Sequence, residues 1–413
     1  MPADPAPPPP PAGALSHLRV LDLSRVLAGP WASQLLADLG AEVWKVERPG
    51  AGDDTRRWGP PWLRDRAGRE TGESSYFAST NRGKRSVTID FTRPEGQALV
   101  RRLAGRADVL LENFKVGDLA RHGLSYADLA PDCPRLVYCS ITGFGQTGPY
   151  RHRAGYDFLI QAMGGLMSIT GAPDGEPMKV GVAVTDLLTG LYAAAAVLAA
   201  LASRERTGRG QHVDLALLDV QVAMLANQAQ AYLASGVAPG RLGNAHPSIV
   251  PYQAFATRDG SVVLAVGNDG QFARLCAAAG RPELAADPRF ATNAARVAHR
   301  DALVPLLAAL LVTRTSAEWT AALAGEDVPC GPILDLAGVF ADPQVIHRGL
   351  RVEAEHPLAG RIPLVASPIR LSGTPLAPPR PPPLLGEQTD ELLRGLLGLE
   401  AGELEALRRK GVI

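Results

Sequence analysis

Residues 181–203, GVAVTDLLTGLYAAAAVLAALAS, constrain this chain more than any other stretch, because Leu187 to Ser203 carries no charge and little side-chain bulk. Ala and Leu have the highest helix propensities, and a helix apolar around most of its circumference needs an interior to sit in. The run predicts a buried helix of a large soluble core, being short and Ala-rich for a membrane span. Asp186, with Thr185 before it, falls at the start of that helix. Unpaired N–H groups and the positive end of the helix dipole favour the ionised carboxylate there. Asp and Thr at a helix start are ordinarily a cap worth about 1 kcal/mol. A catalytic role needs a site built around them.

A chain of 413 residues is long enough for such a core and suggests two or three domains. Lys and Arg together number 42, as do Asp and Glu, so no net charge argues for a nucleic-acid or membrane partner. Cys133, Cys139, Cys276 and Cys330 are scattered without CxxC or Cys/His spacing, which argues against a structural zinc site and a disulfide framework. They read as small buried hydrophobes in a reducing, cytoplasmic protein. Residues 1–15, MPADPAPPPPPAGAL, lack the basic and apolar regions of a secretory signal. They read as a disordered, proline-rich lead-in.

Leu18 to Leu23 reads as a strand, Ser24 to Pro30 as a turn, Trp31 to Leu39 as a helix stopped by Gly40, and Ala41 to Val46 as a second strand. A further cycle follows: strand Ser86 to Asp90, a capping box at Thr92-Arg93-Pro94-Glu95, a helix to about Ala104, then strands Val109 to Glu112 and Leu136 to Ile141. Strands alternating with helices predict an α/β fold with a parallel sheet covered on both faces. Ligands of such sheets collect beyond the carboxyl ends of the strands. That places Arg25, Val26, Leu27, Ala28, Arg48 and Asn113-Phe114-Lys115 on the candidate rim. Arg48 and Arg121 are phosphate candidates because guanidinium offers a bidentate fork, or else solvated surface residues. No GxGxxG follows the first strand and no Walker A sequence appears, which weighs against NAD, FAD and a P-loop. The loops Trp58 to Trp62 and Asn81 to Ser86, and the glycine-rich Ser140 to Gly148, are further candidate linings. Asp157, after Tyr156, is a second carboxylate, either a cap or a neighbour of Asp186. No Ser/His/Asp order and no paired Cys/His spacing is readable, so a carboxylate is the nucleophile with the best seat. Its natural partner is an activated acyl group such as a thioester, because the mixed anhydride formed remains reactive.

Several long motifs resemble the class III CoA-transferases, the family of formyl-CoA transferase and the carnitine and bile-acid CoA-transferases. They include RVLAGPWASQLLADLGAEVWKVERPGAGDDTR (25–56), NRGKRSVTID (81–90), ENFKVGDLARHGL (112–124), GYDFLIQAMGGLMSITG (155–171), GVAVTDLLTGLYA (181–193), GNAHPSIVPYQAF (243–255), DVPCGPI (327–333) and RPPPLLGEQTDE (380–391). The resemblance implies that Asp186 is the catalytic aspartate. It implies that Val26, Leu27, Ala28, Arg48, Ile89, Asn113, Phe114 and Arg121 contact CoA, with Tyr156-Asp157 beside the active site. Arg25 and Leu27 stand where formyl-CoA transferase has histidine and glutamine, and GNAHPSIVPY replaces its glycine run, which argues against oxalate or formate. The wording of the motifs is most similar to the succinate–hydroxymethylglutarate (glutarate) CoA-transferases. The implied reaction moves CoA from an acyl-CoA donor, succinyl-CoA, to a dicarboxylic acid through aspartyl anhydride and aspartyl-CoA intermediates. CoA thioester is then a substrate, and no metal or permanently bound cofactor is required. Arg25, Arg82, Lys84, Arg85 and His246 are candidates to meet a second carboxylate. The α-methylacyl-CoA racemases share the fold but need a His-Asp pair where Tyr156-Asp157 stands, and tyrosine, with an ordinary pKa near 10, is a poor base at neutral pH. A racemase and a non-catalytic CoA-binding protein remain the alternatives.

In the second half, Tyr252 to Thr257 and Ser261 to Val266 around Asp259-Gly260 signal a hairpin, and helical spacing runs through Gln271 to Ala279, Asp301 to Val312 and Ser316 to Ala324. The expected organisation is a lead-in (1–15), a large Rossmann-like CoA-binding domain (16–220), a linker helix (221–244), a small α/β domain (245–332), and a linker with a C-terminal return to the large domain (333–413). The resemblance further implies two ring-like chains interlocked as a homodimer.

Overall fold

The computed structural model describes residues 13–376 and 378–413. The chain forms two compact units, one of residues 13–164, 180–226 and 344–413, the other of 165–179 and 227–343. Most of the proline-rich lead-in, residues 1–12, lies outside the described residues, whereas Leu15 donates its N–H to Leu39 O and packs against the core.

The first unit is built on six strands: β1 (Arg19–Asp22), β2 (Glu42–Glu47), β3 (Arg85–Thr88), β4 (Val109–Glu112), β5 (Val137–Thr142) and β6 (His212–Ala216). Their order is β3-β2-β1-β4-β5-β6, with every neighbouring pair parallel. The helices that matter for the site are α1 (Ala28–Asp38), α2 (Pro94–Ala104), α3 (Asp157–Met163), α4 (Val184–Thr207) and α5 (Leu217–Met224). Residues of the inner strands β4 and β5 are buried on both sides of the sheet, as parallel strands covered by helices must be. Leu21, Trp44, Val87, Leu110 and Tyr138 pack with Leu99 and Leu103 of α2 and with Leu392, Leu393 and Leu404 from the C-terminal helices Thr389–Leu397 and Ala401–Arg409. Val20, Val43, Leu111, Val137 and Ile141 pack with Ala32 and Leu36 of α1 and Ala193, Ala194 and Val197 of α4.

Local structure departs from the sequence expectations at several helices. Arg93, not Thr92, is the N-cap of α2, and no side chain caps that helix. Thr92 instead turns back to Asp90, donating N–H and Oγ to its carboxylate at 3.0 and 2.6 Å. The linker helix expected over 221–244 is broken between α5 and Ala226–Ser235, where Ala226 adopts φ 43°. The long helix α4 is not buried all round: Thr189, Ala193, Val197 and Leu201 face the core, while Leu191, Tyr192 and Leu198 are exposed.

The second unit contains the hairpin read from the sequence, Tyr252–Ala256 paired antiparallel with Ser261–Ala265, extended by Cys330–Pro332. Phe255, Leu264, Phe272, Leu303, Trp319 and Leu323 form its core.

Candidate active site

The strand order reverses direction between β1 and β4. The chain continues from β1 to one side of the sheet and from β4 to the other, leaving a crevice beyond their carboxyl ends. Two loops meet there. The Asn113 side chain, directly after β4, accepts from Arg25 N at 2.8 Å and donates to Arg25 O at 2.6 Å, tying the β4 loop to the β1 loop. The Phe114 ring lies under the Arg25 guanidinium at 5.0 Å. Glu112 Oε2 accepts from Phe114 N at 2.8 Å, and burial pushes that carboxyl up to about 7.

The β1 loop is strained and braced. Val26 adopts φ 70°, a left-handed conformation that β-branched residues rarely enter. Its N–H donates to both carboxylate oxygens of Asp53 at 3.3 Å. Lys45 Nζ stands 2.9 Å from Asp53 and donates to Ser24 O at 2.9 Å; neither side chain is exposed. Beside them, Asp22 accepts from Ser24, Ser33 and Lys84, so the loop rests on a fully buried charged network. The two lysines held against it keep the Asp22 carboxyl down at about 2 although burial, the largest influence, works against them.

Asp186 is the third residue of α4. The helix cap comes from elsewhere: Asp157 Oδ1, at the start of α3, accepts from Thr185 N at 2.9 Å and from Asp186 N at 3.3 Å. Asp157 Oδ2 is held by Gln161 Nε2 at 2.6 Å, and Thr185 Oγ1 donates to Gln221 Oε1 at 2.5 Å. Burial outweighs the preference of a helix start for an ionised Asp186. Burial pushes the Asp186 carboxyl up to about 7, and the neighbouring Asp157 charge pushes the same way. One turn further on, a Cβ at Gly190 would lie 2.7 Å from Ala28 O and 2.9 Å from Trp31 Cδ1, so α4 and α1 touch just beyond the carboxylate.

A cavity of about 200 Å³ opens on Asp186. Arg25, Val26, Leu27, Ala28, Asn113, Phe114, Lys115 and Tyr156 line it, as do Ile141 to Gly143 from the glycine-rich turn. A second cavity of about 300 Å³ shares Arg25 and Phe114 and adds Arg48 and Arg121. Arg25 is paired with Asp54 at 3.2 Å and Arg121 with Asp118, while Arg48 and Lys115 make no ion pair among the described residues. Asp157 stands behind Asp186 as its cap. Ile89 is in the core, 1% exposed, and lines neither cavity.

The cations proposed for a second carboxylate fare differently. Arg82 is held by Asp38, Lys84 by Asp22 at 3.1 Å, and Arg85 by Glu42 at 2.6 Å and Glu391 at 2.7 Å, and none of the three lines the Asp186 cavity, whereas Arg25, itself paired with Asp54, does. His246 belongs to the second unit, its ring against Tyr252. Another cavity, of about 580 Å³, is lined by Arg82 to Arg85 and Pro378 to Pro383 and contains no residue of the Asp186 site. Arg151 and Arg153, which line the Asp186 cavity, were missed; their signal was a basic pair directly after a glycine-rich turn. Lys45 and Asp53 were missed too, although a lysine inside the apolar strand EVWKVE is itself a warning of a buried ion pair.

Residues 15–389 match the family model described as CoA-transferase family III. The chain is 53% identical over 386 residues to the succinate–glutarate CoA-transferase of Agrobacterium fabrum, covering 94% of this chain and 96% of that one. It is 47% identical over 399 residues to the succinyl-CoA:glutarate CoA-transferase of Mus musculus, covering 97% and 90%. A crystal structure of a CAIB/BAIF family protein from Brucella suis superposes with a TM-score of 0.83 at 51% identity, covering 93% of this chain and 100% of that one. With a parallel α/β sheet, a carboxylate at its switch point and matches of this length, the chain is an enzyme that belongs to CoA-transferase family III.

Proposed function

We propose that this enzyme transfers CoA from succinyl-CoA to glutarate or a dicarboxylate of similar length, with Asp186 as nucleophile. The observation that carries the nucleophile is the placement of Asp186, a half-buried carboxylate opening on the cavity formed by the loops after β1 and β4. The substrates rest on the names of the two relatives at 53% and 47% identity.

An Asp186 oxygen attacks the thioester carbonyl carbon, the C–S bond breaks, and CoA leaves as thiolate, giving an aspartyl anhydride. The thiolate then attacks Asp186 Cγ and expels the donor carboxylate, leaving an aspartyl-CoA thioester. The acceptor carboxylate attacks Cγ in turn and displaces the thiolate. The thiolate takes the acceptor acyl carbon, and the Asp186 carboxylate is restored. Helix α1 starts at this cavity without a side-chain cap at Leu27, so its first N–H groups have no intrahelical acceptor and suit a developing oxyanion. Arg48, Arg121 and Lys115 bind the CoA phosphates. Arg25, Arg151 and Arg153 are the cavity cations suited to a distal carboxylate.

A homodimer, interlocked as the family resemblance implies, belongs to the same reading. It is supported by the exposed apolar side chains Phe158 and Leu159 of α3, Leu191 and Tyr192 of α4, and Val222 of α5, since exposed apolar surface marks interaction sites.

The test is CoA exchange from succinyl-CoA to glutarate, hydroxymethylglutarate, mesaconate, malate and oxalate, with the native enzyme beside Asp186→Asn. Transfer to a dicarboxylate that is lost in the variant is the expected result. Transfer surviving the substitution would remove Asp186 as nucleophile. Failure on every acid, with exchange of an α-proton in a branched acyl-CoA, would replace transferase by racemase.

A further inference from the structure

We propose that Lys45 and Asp53 are positioning residues for the transfer reaction. In this reading their buried ion pair holds Val26 in its left-handed conformation and so fixes the Arg25–Ala28 wall opposite Asp186. The proposal rests on the reading of Asp186 as nucleophile.

Both side chains are 0% exposed, and neither lines the Asp186 cavity, although both border the second cavity beside Arg48. Yet both are directed at the β1 loop: Lys45 Nζ holds Ser24 O at 2.9 Å, and Asp53 takes the Val26 N–H on both oxygens at 3.3 Å. Asp53 is itself oriented by Thr55 N at 3.0 Å, Thr55 Oγ1 at 2.8 Å and Lys45 at 2.9 Å, so its carboxylate has little freedom. A valine at φ 70° is sterically unfavourable and persists only where its surroundings over-determine it. Here the surroundings are this clamp on one side and Asn113 holding Arg25 on the other.

The geometry downstream shows why the loop's position matters. Two residues after Val26 the chain reaches Ala28, whose carbonyl fits against Gly190, one turn beyond Asp186. Arg25, Val26, Leu27 and Ala28 all line the cavity that contains Asp186. A loop that relaxed to negative φ at Val26 would move these groups against the carboxylate, and shifts of about 1 Å at a reacting centre cost on the order of 100-fold in rate.

Glycine enters the left-handed region about as readily as the right-handed one, and that supplies the test. Steady-state kcat and KM for succinyl-CoA, per folded enzyme, are measured for Asp53→Asn, for Asp53→Asn/Val26→Gly and for Asp186→Asn, each with its thermal unfolding curve. The expected result is a fall in kcat of about 10- to 100-fold for Asp53→Asn, reversed at least fivefold by adding Val26→Gly. Unchanged kcat per folded Asp53→Asn enzyme, or a loss that glycine at 26 fails to relieve, would overturn the proposal and leave the pair a stability element. Should Asp53→Asn not fold, amide exchange of residues 24–28 in the native enzyme decides. Protection already present without CoA supports the preset loop, and protection appearing only with CoA refutes it. Asp186→Asn separates the two readings, since transfer surviving in that variant removes the nucleophile whatever the Asp53 result.

Discussion

Substituting Asp186 by asparagine should abolish transfer and at the same time stabilise the protein in a pH-dependent way. The native carboxyl is raised from the ordinary 3.8 to about 7, by burial first and by Asp157 second. Between those two values the folded chain keeps a proton that the unfolded chain has released, so stability falls as pH rises through that window. Full development of the charge costs about 4 kcal/mol, roughly three pKa units at 1.36 kcal/mol each. The amide introduced by Asp186→Asn stays neutral in both states and escapes the cost. The advantage of the variant should therefore be small near pH 4 and grow with pH, with about 2.5 kcal/mol of the growth falling between pH 5 and pH 8. Glu112, also raised to about 7, is present in both proteins and cancels from the difference. Urea unfolding midpoints at pH 5, 6.5 and 8 measure it directly. A gap between the two proteins that stays constant with pH, or that closes as pH rises, would refute the assignment of a raised pKa to Asp186.

In the native enzyme, kcat/KM for acyl-CoA should rise with pH along a limb centred near 7 as Asp186 ionises; Asp157→Asn should move that limb to lower pH, short of the ordinary carboxylate range because burial remains. An unmoved limb would remove Asp157 as a contributor. Gly190→Ala places a Cβ 2.7 Å from Ala28 O, and overpacking of this kind costs about 1–3 kcal/mol. Its melting temperature and kcat should both fall, and native values for both would show that α1 and α4 can separate freely. Arg48→Met should raise the KM for succinyl-CoA about 10- to 100-fold with kcat nearly unchanged, the loss of a charge-assisted bond to phosphate. A kcat loss at constant KM would place Arg48 at the chemistry instead.

The parallel sheet was legible because β-rich apolar runs alternated with helical ones, and the rim at the carboxyl ends of the strands followed from that, whereas the strand order that puts the crevice between β1 and β4 was not legible. Asp186 was legible as a carboxylate at a helix start. Asp157 was legible only as a cap or a neighbour of Asp186; that it caps α4 itself, from 29 residues earlier in the chain, is reported by no local pattern. Thr92 illustrates the same limit at short range: the capping sequence was present, but Asp90 offered its hydroxyl and N–H a closer partner and the helix began one residue later. Ile89 was placed at the site by resemblance and lies in the core, since it stands one residue beyond β3 with its side chain among Leu23, Val46 and Leu99. Arg82, Lys84 and Arg85, candidates to meet a second carboxylate, each have a carboxylate brought to them by another strand or helix. Charge in a loop says nothing of what the sheet places opposite.

The state of Asp186 follows from comparing two effects that act on it in opposite directions. A helix N-terminus favours a carboxylate by about 0.3–1 kcal/mol, less than one pKa unit, whereas burial raises carboxyl pKa values by up to several units. Asp157 weakens the first effect further by occupying the N–H groups of Thr185 and Asp186 and by bringing its own carboxylate close. Burial wins, and the charge on the resting nucleophile is costly in its pocket. Both covalent intermediates, the anhydride and the thioester, are neutral at Asp186, so the unfavourable charge is discharged when the acyl bond forms. An interaction that disfavours only the free carboxylate lowers the barrier leading away from it. The same cost therefore appears as instability of the resting enzyme at high pH and as reactivity of its carboxylate, and the Asp186→Asn variant should lose both together.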